Sequence, residues 1–109
     1  MDVRLTKELT ERTDAGDELY IIDLQSAGSP AKAPVRASWW TVTPGSATEV
    51  DQHDAHEIWI ISTGGGAFTC GAGTTPVDAG DLLRIPPQSP HRIVNDRADL
   101  LTVYSLWWD

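Results

Sequence analysis

One cysteine, one methionine and one phenylalanine are all that the 109-residue chain contains of those types. A lone Cys70 excludes an internal disulfide framework and a four-cysteine zinc site. Basic residues are also scarce: 8 Lys and Arg stand against 16 Asp and Glu, for a formal net charge of −8. Phosphate backbones and anionic membranes need a basic face, so neither nucleic acid nor membrane is expected as a partner. No apolar run approaches the roughly 18 residues of a membrane span. The opening stretch, MDVRLTKELTERTDAGDELY, is charged where a secretory signal would be apolar. The expectation is a cytoplasmic protein with a single domain over residues 1–109.

Tryptophan, glycine and proline are abundant. The five tryptophans fall as Trp39-Trp40, Trp59 and Trp107-Trp108. Neighbours on a strand point to opposite faces, so each pair turns one ring inward and one outward. An outward indole calls for cover, which leads us to expect a homodimer. The 9 glycines and 7 prolines mostly separate short apolar runs. Residues 4–12 read as a helical turn or two, 13–17 as a turn, 19–24 as strand and 25–34 as loop. Strands are expected over 35–43, within 49–62 with a turn near Asp54, and over 67–70, 75–77, 81–85, 91–95 and 100–108. Thr63 to Gly66 reads as a hairpin turn. Eight to nine short strands at this spacing indicate an all-β sandwich or barrel. The absence of a Cys–Trp–Cys pattern speaks against an immunoglobulin domain.

The three histidines, His53, His56 and His91, lie in two turn-rich segments. In an extended chain Asp51, His53, Glu57, Trp59 and Ile61 share one face, while His56, Ile58 and Ile60 share the other. The first face puts an imidazole and two carboxylates beside an indole and an alkyl group, as a polar metal site lined by an apolar pocket would be built. His53-x-x-His56 is also a metal-like spacing, and a bulge at Asp54-Ala55 would bring His56 to the same side. Trp59 reads as a pocket wall or as core filling. Ile61 extends the pocket face and reads as core together with Ile85 and Ile93. The second segment, Gly80 to Asn95, is a strand, a proline-rigid turn and a return strand opened by His91, a hairpin that places His91 opposite the first cluster.

These segments resemble the two motifs of the cupin superfamily. The second motif, G-x5-P-x-G-x2-H-x3-N, is matched by Gly80, Pro86, His91 and Asn95, with Gln88 in place of the inner glycine. The first, G-x5-H-x-H-x3,4-E-x6-G, is matched by Gly45, His53, Glu57 and Gly64, with Asp51 at the first histidine position. The motifs cover about residues 45–64 and 80–95. The resemblance implies a double-stranded β-helix, or jelly-roll, barrel around a divalent metal held by His53, Glu57 and His91. Asp51 is either a fourth ligand or a base beside the ion. Two imidazoles and a carboxylate favour Fe(II), with Zn, Mn or Ni as the other fits. The implied activity is that of a metalloenzyme, of dioxygenase, decarboxylase, isomerase or cyclase type, acting on a small-molecule substrate. Trp59, Ile61 and Trp40 are the expected pocket residues. A non-catalytic binding or sensor module is the alternative.

Overall fold

The computed structural model describes residues 7–13, 15–21 and 35–109, and everything described is strand, turn or extended chain. Nine strands follow one another: β1 (Lys7–Thr13), β2 (Gly16–Ile21), β3 (Arg36–Val42), β4 (His56–Thr63), β5 (Gly65–Cys70), β6 (Gly73–Asp78), β7 (Leu82–Ile85), β8 (His91–Val94) and β9 (Leu101–Trp108). They form two antiparallel sheets, one ordered β1-β2-β3-β9-β4-β7 and the other β6-β5-β8. No helix among the described residues is long and apolar enough to cross a membrane.

The larger sheet carries a chemical gradient on its inner face, written in alternate residues of each strand. Antiparallel register aligns Arg36, Trp107, Glu57 and Ile85 in one row, then Ser38, Ser105, Trp59 and Leu83. Trp40, Val103 and Ile61 form the next row, and Val42 with Leu101 the last. Residues paired across strands share a face, so one end of the barrel is polar and the other apolar. At the apolar end Val42, Ile61, Leu101 and Val103 meet Phe68, Val77 and Ile93 of the smaller sheet. This core joins the two layers and leaves the opposite end free to hold a site.

Both expected hairpins are replaced by crossings between sheets. β4 and β5 do not pair: the chain passes from one sheet to the other at Gly64. There φ is +75°, and a Cβ would lie 2.6 Å from the Leu100 carbonyl oxygen, so the turn requires glycine. β7 likewise pairs with β4, and β8 with β5. A glycine turn marks the change of direction in both architectures, which is why local turn chemistry does not separate them. The helical turn expected near the start is instead strand β1, paired with β2 along its length. The polar sequence KELTERT has little pattern of its own, and the ladder to β2 decides its conformation. Residues 4–6, and residues 22–34, which hold the rest of the expected 19–24 strand and the loop after it, lie outside the described residues.

Candidate metal centre

The polar end is assembled from two segments. β4 presents Glu57 and Trp59 inward, both buried, and turns His56, Ile58 and Ile60 outward, as the alternation requires. Ahead of β4 the chain is extended without forming a strand, and it lies along the segment leading to and including β8. Asp51 and His91 exchange backbone hydrogen bonds of 3.0 and 2.9 Å, and the Gln88 amide donates to the His53 carbonyl at 2.7 Å. These bonds fix His91 against Asp51 and His53 without a hairpin between β7 and β8.

Gln88 occupies the motif's glycine position and has φ +63°, among the described residues the only non-glycine with positive φ. Its backbone conformation is the one that favours glycine. Its side-chain amide bonds Asp54, and its carbonyl accepts from the Gln52 amide at 2.9 Å. The substituted position thus clasps the segment carrying His53.

The three groups meet at one carboxylate oxygen. Glu57 Oε1 lies 2.8 Å from His53 Nε2 and 3.5 Å from His91 Nε2. Glu57 Oε2 accepts from the Trp59 indole N–H at 2.9 Å. Asp51, His53 and His91 offer donor atoms that all lie within 4.8 Å of one another. His53 Nδ1 lies 3.1 Å from the Ala55 carbonyl oxygen and His91 Nδ1 lies 2.8 Å from that of Ser89. A carbonyl only accepts, so both Nδ1 atoms carry the hydrogen and both Nε2 atoms face Glu57. At this approach an Nε2 and the carboxylate oxygen need a cation between them: a proton, with which the ring donates to Glu57, or a metal ion. Burial opposes charge on Glu57, but hydrogen bonds from His91, Trp59 and His53 hold its pKa below the ordinary carboxylate value. Burial likewise opposes charge on His91, yet hydrogen bonds to Glu57 and the Ser89 carbonyl, with the charges of Glu57 and Asp51, raise its pKa. The site favours positive charge at its centre.

The donor set fits a divalent ion. With bonds of about 2.1 Å to nitrogen and oxygen, neighbouring ligand atoms around such an ion stand roughly 3–3.5 Å apart, comparable to the spacing of Glu57 Oε1 from the two rings. Asp51, His53 and His91 thus form a group whose spacing fits one ion, Asp51 at its exposed rim, with Glu57 Oε1 beside both rings. His56 stands apart: it faces out of the barrel and stacks on Trp108, with centroids 5.6 Å apart and planes at 12°. No bulge brings it to the inner side.

A cavity of about 830 Å³ opens over the centre. Trp40 and Trp59 are in its wall, edge to face at 4.8 Å, and the Trp40 indole N–H donates to Ser105 Oγ at 2.7 Å. Ile61, expected beside them, is 1% exposed and belongs to the core, two residues deeper than Trp59. Sequence reasoning missed Arg36, Glu49, Ser105 and Trp107, all of which line the cavity. The period-two row Leu101, Val103, Ser105, Trp107 carried the signal for two of these. Nothing in the sequence marked Arg36 and Glu49. Asn95, the last motif residue, is fully buried and bonds only backbone groups.

The family model described as Cupin domain matches residues 38–107, which contain both segments of the centre. The chain belongs to the cupin family. Among solved structures, this cupin is similar to a Cupin 2 conserved barrel domain protein from Salinispora arenicola, at 28% identity and TM-score 0.80, covering 100% of this chain and 89% of that one. It is also similar to a protein from Photorhabdus luminescens, at 23% identity and TM-score 0.78, over 100% of this chain and 84% of the other. A predicted oxalate decarboxylase from Thermotoga maritima aligns at 22% identity and TM-score 0.74, over 99% and 98% of the two chains. The last two likenesses speak for the shared barrel alone.

Proposed function

We propose that this cupin is a mononuclear, metal-dependent enzyme acting on a small organic molecule, with Fe(II) the favoured ion and oxygenase-type or Lewis-acid chemistry. The observation that carries the reading is the pair of imidazoles, each pinned through Nδ1–H to a backbone carbonyl, with both Nε2 atoms aimed at Glu57. A bound divalent ion would supply Lewis acidity or, if iron, a site for dioxygen.

The chain's own residues do the rest. Glu57 contributes negative charge and is oriented by the Trp59 N–H. Ser89 and Ala55 carbonyls fix the ring tautomers, so no reorganisation is needed when the centre fills. Trp59 and Trp40 exclude water from one side of the cavity and offer indole surface to an apolar part of a substrate. Asp51, exposed at the rim, is placed to take a proton from a substrate in the cavity if it does not itself hold the ion.

The test is anaerobic reconstitution with Fe(II), Zn, Mn or Ni, followed by oxygen-uptake and mass-spectrometric assays over a panel of small organic compounds. Metal-dependent turnover lost in His53→Ala and His91→Ala supports the enzyme. Metal uptake with no turnover of any compound favours a binding module, and turnover unchanged in both variants contradicts the proposed centre.

A further inference from the structure

The charge of the cavity wall is one-sided. Among the described residues lining it, Asp17, Glu18, Glu49, Asp51 and Glu57 are acidic, against one guanidinium, Arg36, and the two imidazoles of the centre, His53 and His91. Arg36 is itself in an exposed ion pair, its Nη2 3.1 Å from Asp109 Oδ1. Asp17 is matched outside the cavity by Arg12 at 3.2 Å. A divalent ion at the centre would be balanced by Glu57 and Asp51. Of the remaining two, Glu18 has an interaction of its own, and Glu49, exposed and without an ion-pair partner among the described residues, is negative charge at the mouth.

The wall is also aromatic. Trp40 is held by its bond to Ser105 and by edge-to-face contact with Trp59, so its ring does not rotate away from the cavity. Trp107 lines the same space, on the row of Arg36 and Glu57. Indole faces attract cations and carry no attraction for carboxylates. A dicarboxylate such as oxalate, which appears in the description of one structural neighbour as a predicted oxalate decarboxylase, would meet repulsion at the mouth, and the guanidinium of Arg36 is already paired with Asp109.

We propose that the cavity takes a small organic cation, an ammonium group carried on an aromatic or alkyl body, in preference to a carboxylate. The indoles of Trp40 and Trp107 hold the body and the adjoining cation, and Glu49 contributes the charge that selects its sign. The inference rests on the reading of this cavity as a small-molecule site, and it names the class of molecule.

Three probes with the same phenyl body separate the alternatives: benzyltrimethylammonium, benzyl alcohol and phenylacetate. Each is titrated into the full chain at low ionic strength. Binding is read by calorimetry, and its place by the indole N–H resonances of Trp40 and Trp107. The ammonium probe is expected to bind about tenfold or more tighter than phenylacetate. Glu49→Gln, an exposed substitution, is expected to narrow that ratio by roughly threefold. Phenylacetate binding as tightly as the ammonium probe overturns the inference. So does absence of ammonium binding at millimolar concentration, a ratio unmoved by Glu49→Gln, or shifts that spare both indoles. The titrations are run on metal-free and zinc-loaded protein. A chain that takes no zinc but keeps the cation preference removes the enzyme reading alone. A chain that takes zinc but prefers phenylacetate removes this inference alone.

Discussion

Asn95→Asp isolates the part of the motif that builds the barrel from the part that carries chemistry. Asn95 is 0% exposed, and its Nδ2 donates to the Val42 carbonyl at 2.9 Å and to the Asp99 carbonyl at 2.8 Å. Its Oδ1 accepts from the Arg97 amide at 3.0 Å. The side chain therefore ties the end of β3 to the turn before β9 with every donor used. A carboxyl of the same size turns an oxygen toward two carbonyl oxygens. Ionised, it is buried and repelled; protonated, it satisfies one carbonyl and orphans the other, at about 1–3 kcal/mol. Keeping it protonated costs about 1.4 kcal/mol per pH unit above the unfolded value of about 3.9, or roughly 4 kcal/mol near pH 7. The folded pKa is raised, so the penalty is absent below the unfolded pKa and grows as pH rises. The loss near pH 7 is then about 5–7 kcal/mol, comparable to the whole stability of a small domain. Urea midpoints of the variant and the natural chain are compared near pH 5 and pH 7. The difference between them should widen by about 2.7 kcal/mol over those two pH units, and a variant folded only at the lower pH agrees with the same reasoning. A loss equal at both pH values would refute it.

Three further outcomes follow from the same geometry. Gln88→Gly relieves positive φ and gives up exposed side-chain bonds, so stability should change by less than about 1 kcal/mol, whereas Gln88→Val should lose roughly 2 kcal/mol in thermal melts; equal melting of the two would count against the strain. In metal-free protein the lowered pKa of Glu57 stabilises above its unfolded value and is lost as pH falls, while the raised pKa of His91 stabilises below its unfolded value and is lost as pH rises. Their joint contribution should peak between about pH 4.3 and 6.5, and Glu57→Gln should abolish that maximum in denaturation midpoints read across pH. Trp39 and Tyr104 meet on the outer face of the larger sheet at 6.4 Å, near exposed Leu82; sedimentation is expected to give a homodimer, and a monomer at all concentrations would contradict that expectation.

The jelly-roll class and the inner face of β4 were legible because both rest on period two. The alternation that set Glu57 and Trp59 against His56 and Ile58 in the sequence is the alternation of the strand. Asp51 and His53 kept the same side although residues 51–55 form no strand, because the bend at Asp54-Ala55 consumes two residues before β4 begins. Connections were less legible. Gly64 ends one strand in either a hairpin or a sheet crossing, and only the long-range partners of β5 and β8 choose between them. Ile61 was ambiguous for a similar reason: parity gives the face, while depth along the barrel comes from the register with Val103. The acidic mouth was beyond reach, since Arg36 and Glu49 are 13 positions apart and adjoin one cavity only after β3 and the segment before β4 have folded.

Metal content tests the central claim most directly. The untagged protein is loaded with Fe(II), Zn, Mn or Ni, dialysed and analysed by elemental mass spectrometry beside His53→Ala, Glu57→Ala, His91→Ala and Asp51→Ala, with each variant's fold checked by circular dichroism. The account predicts roughly one ion per natural chain and loss of that ion in the first three folded variants. Retention in Asp51→Ala would assign that carboxylate to proton transfer, and loss would assign it to the ion. No bound ion in the natural chain, or an ion retained when His53 or His91 is removed, would contradict the account.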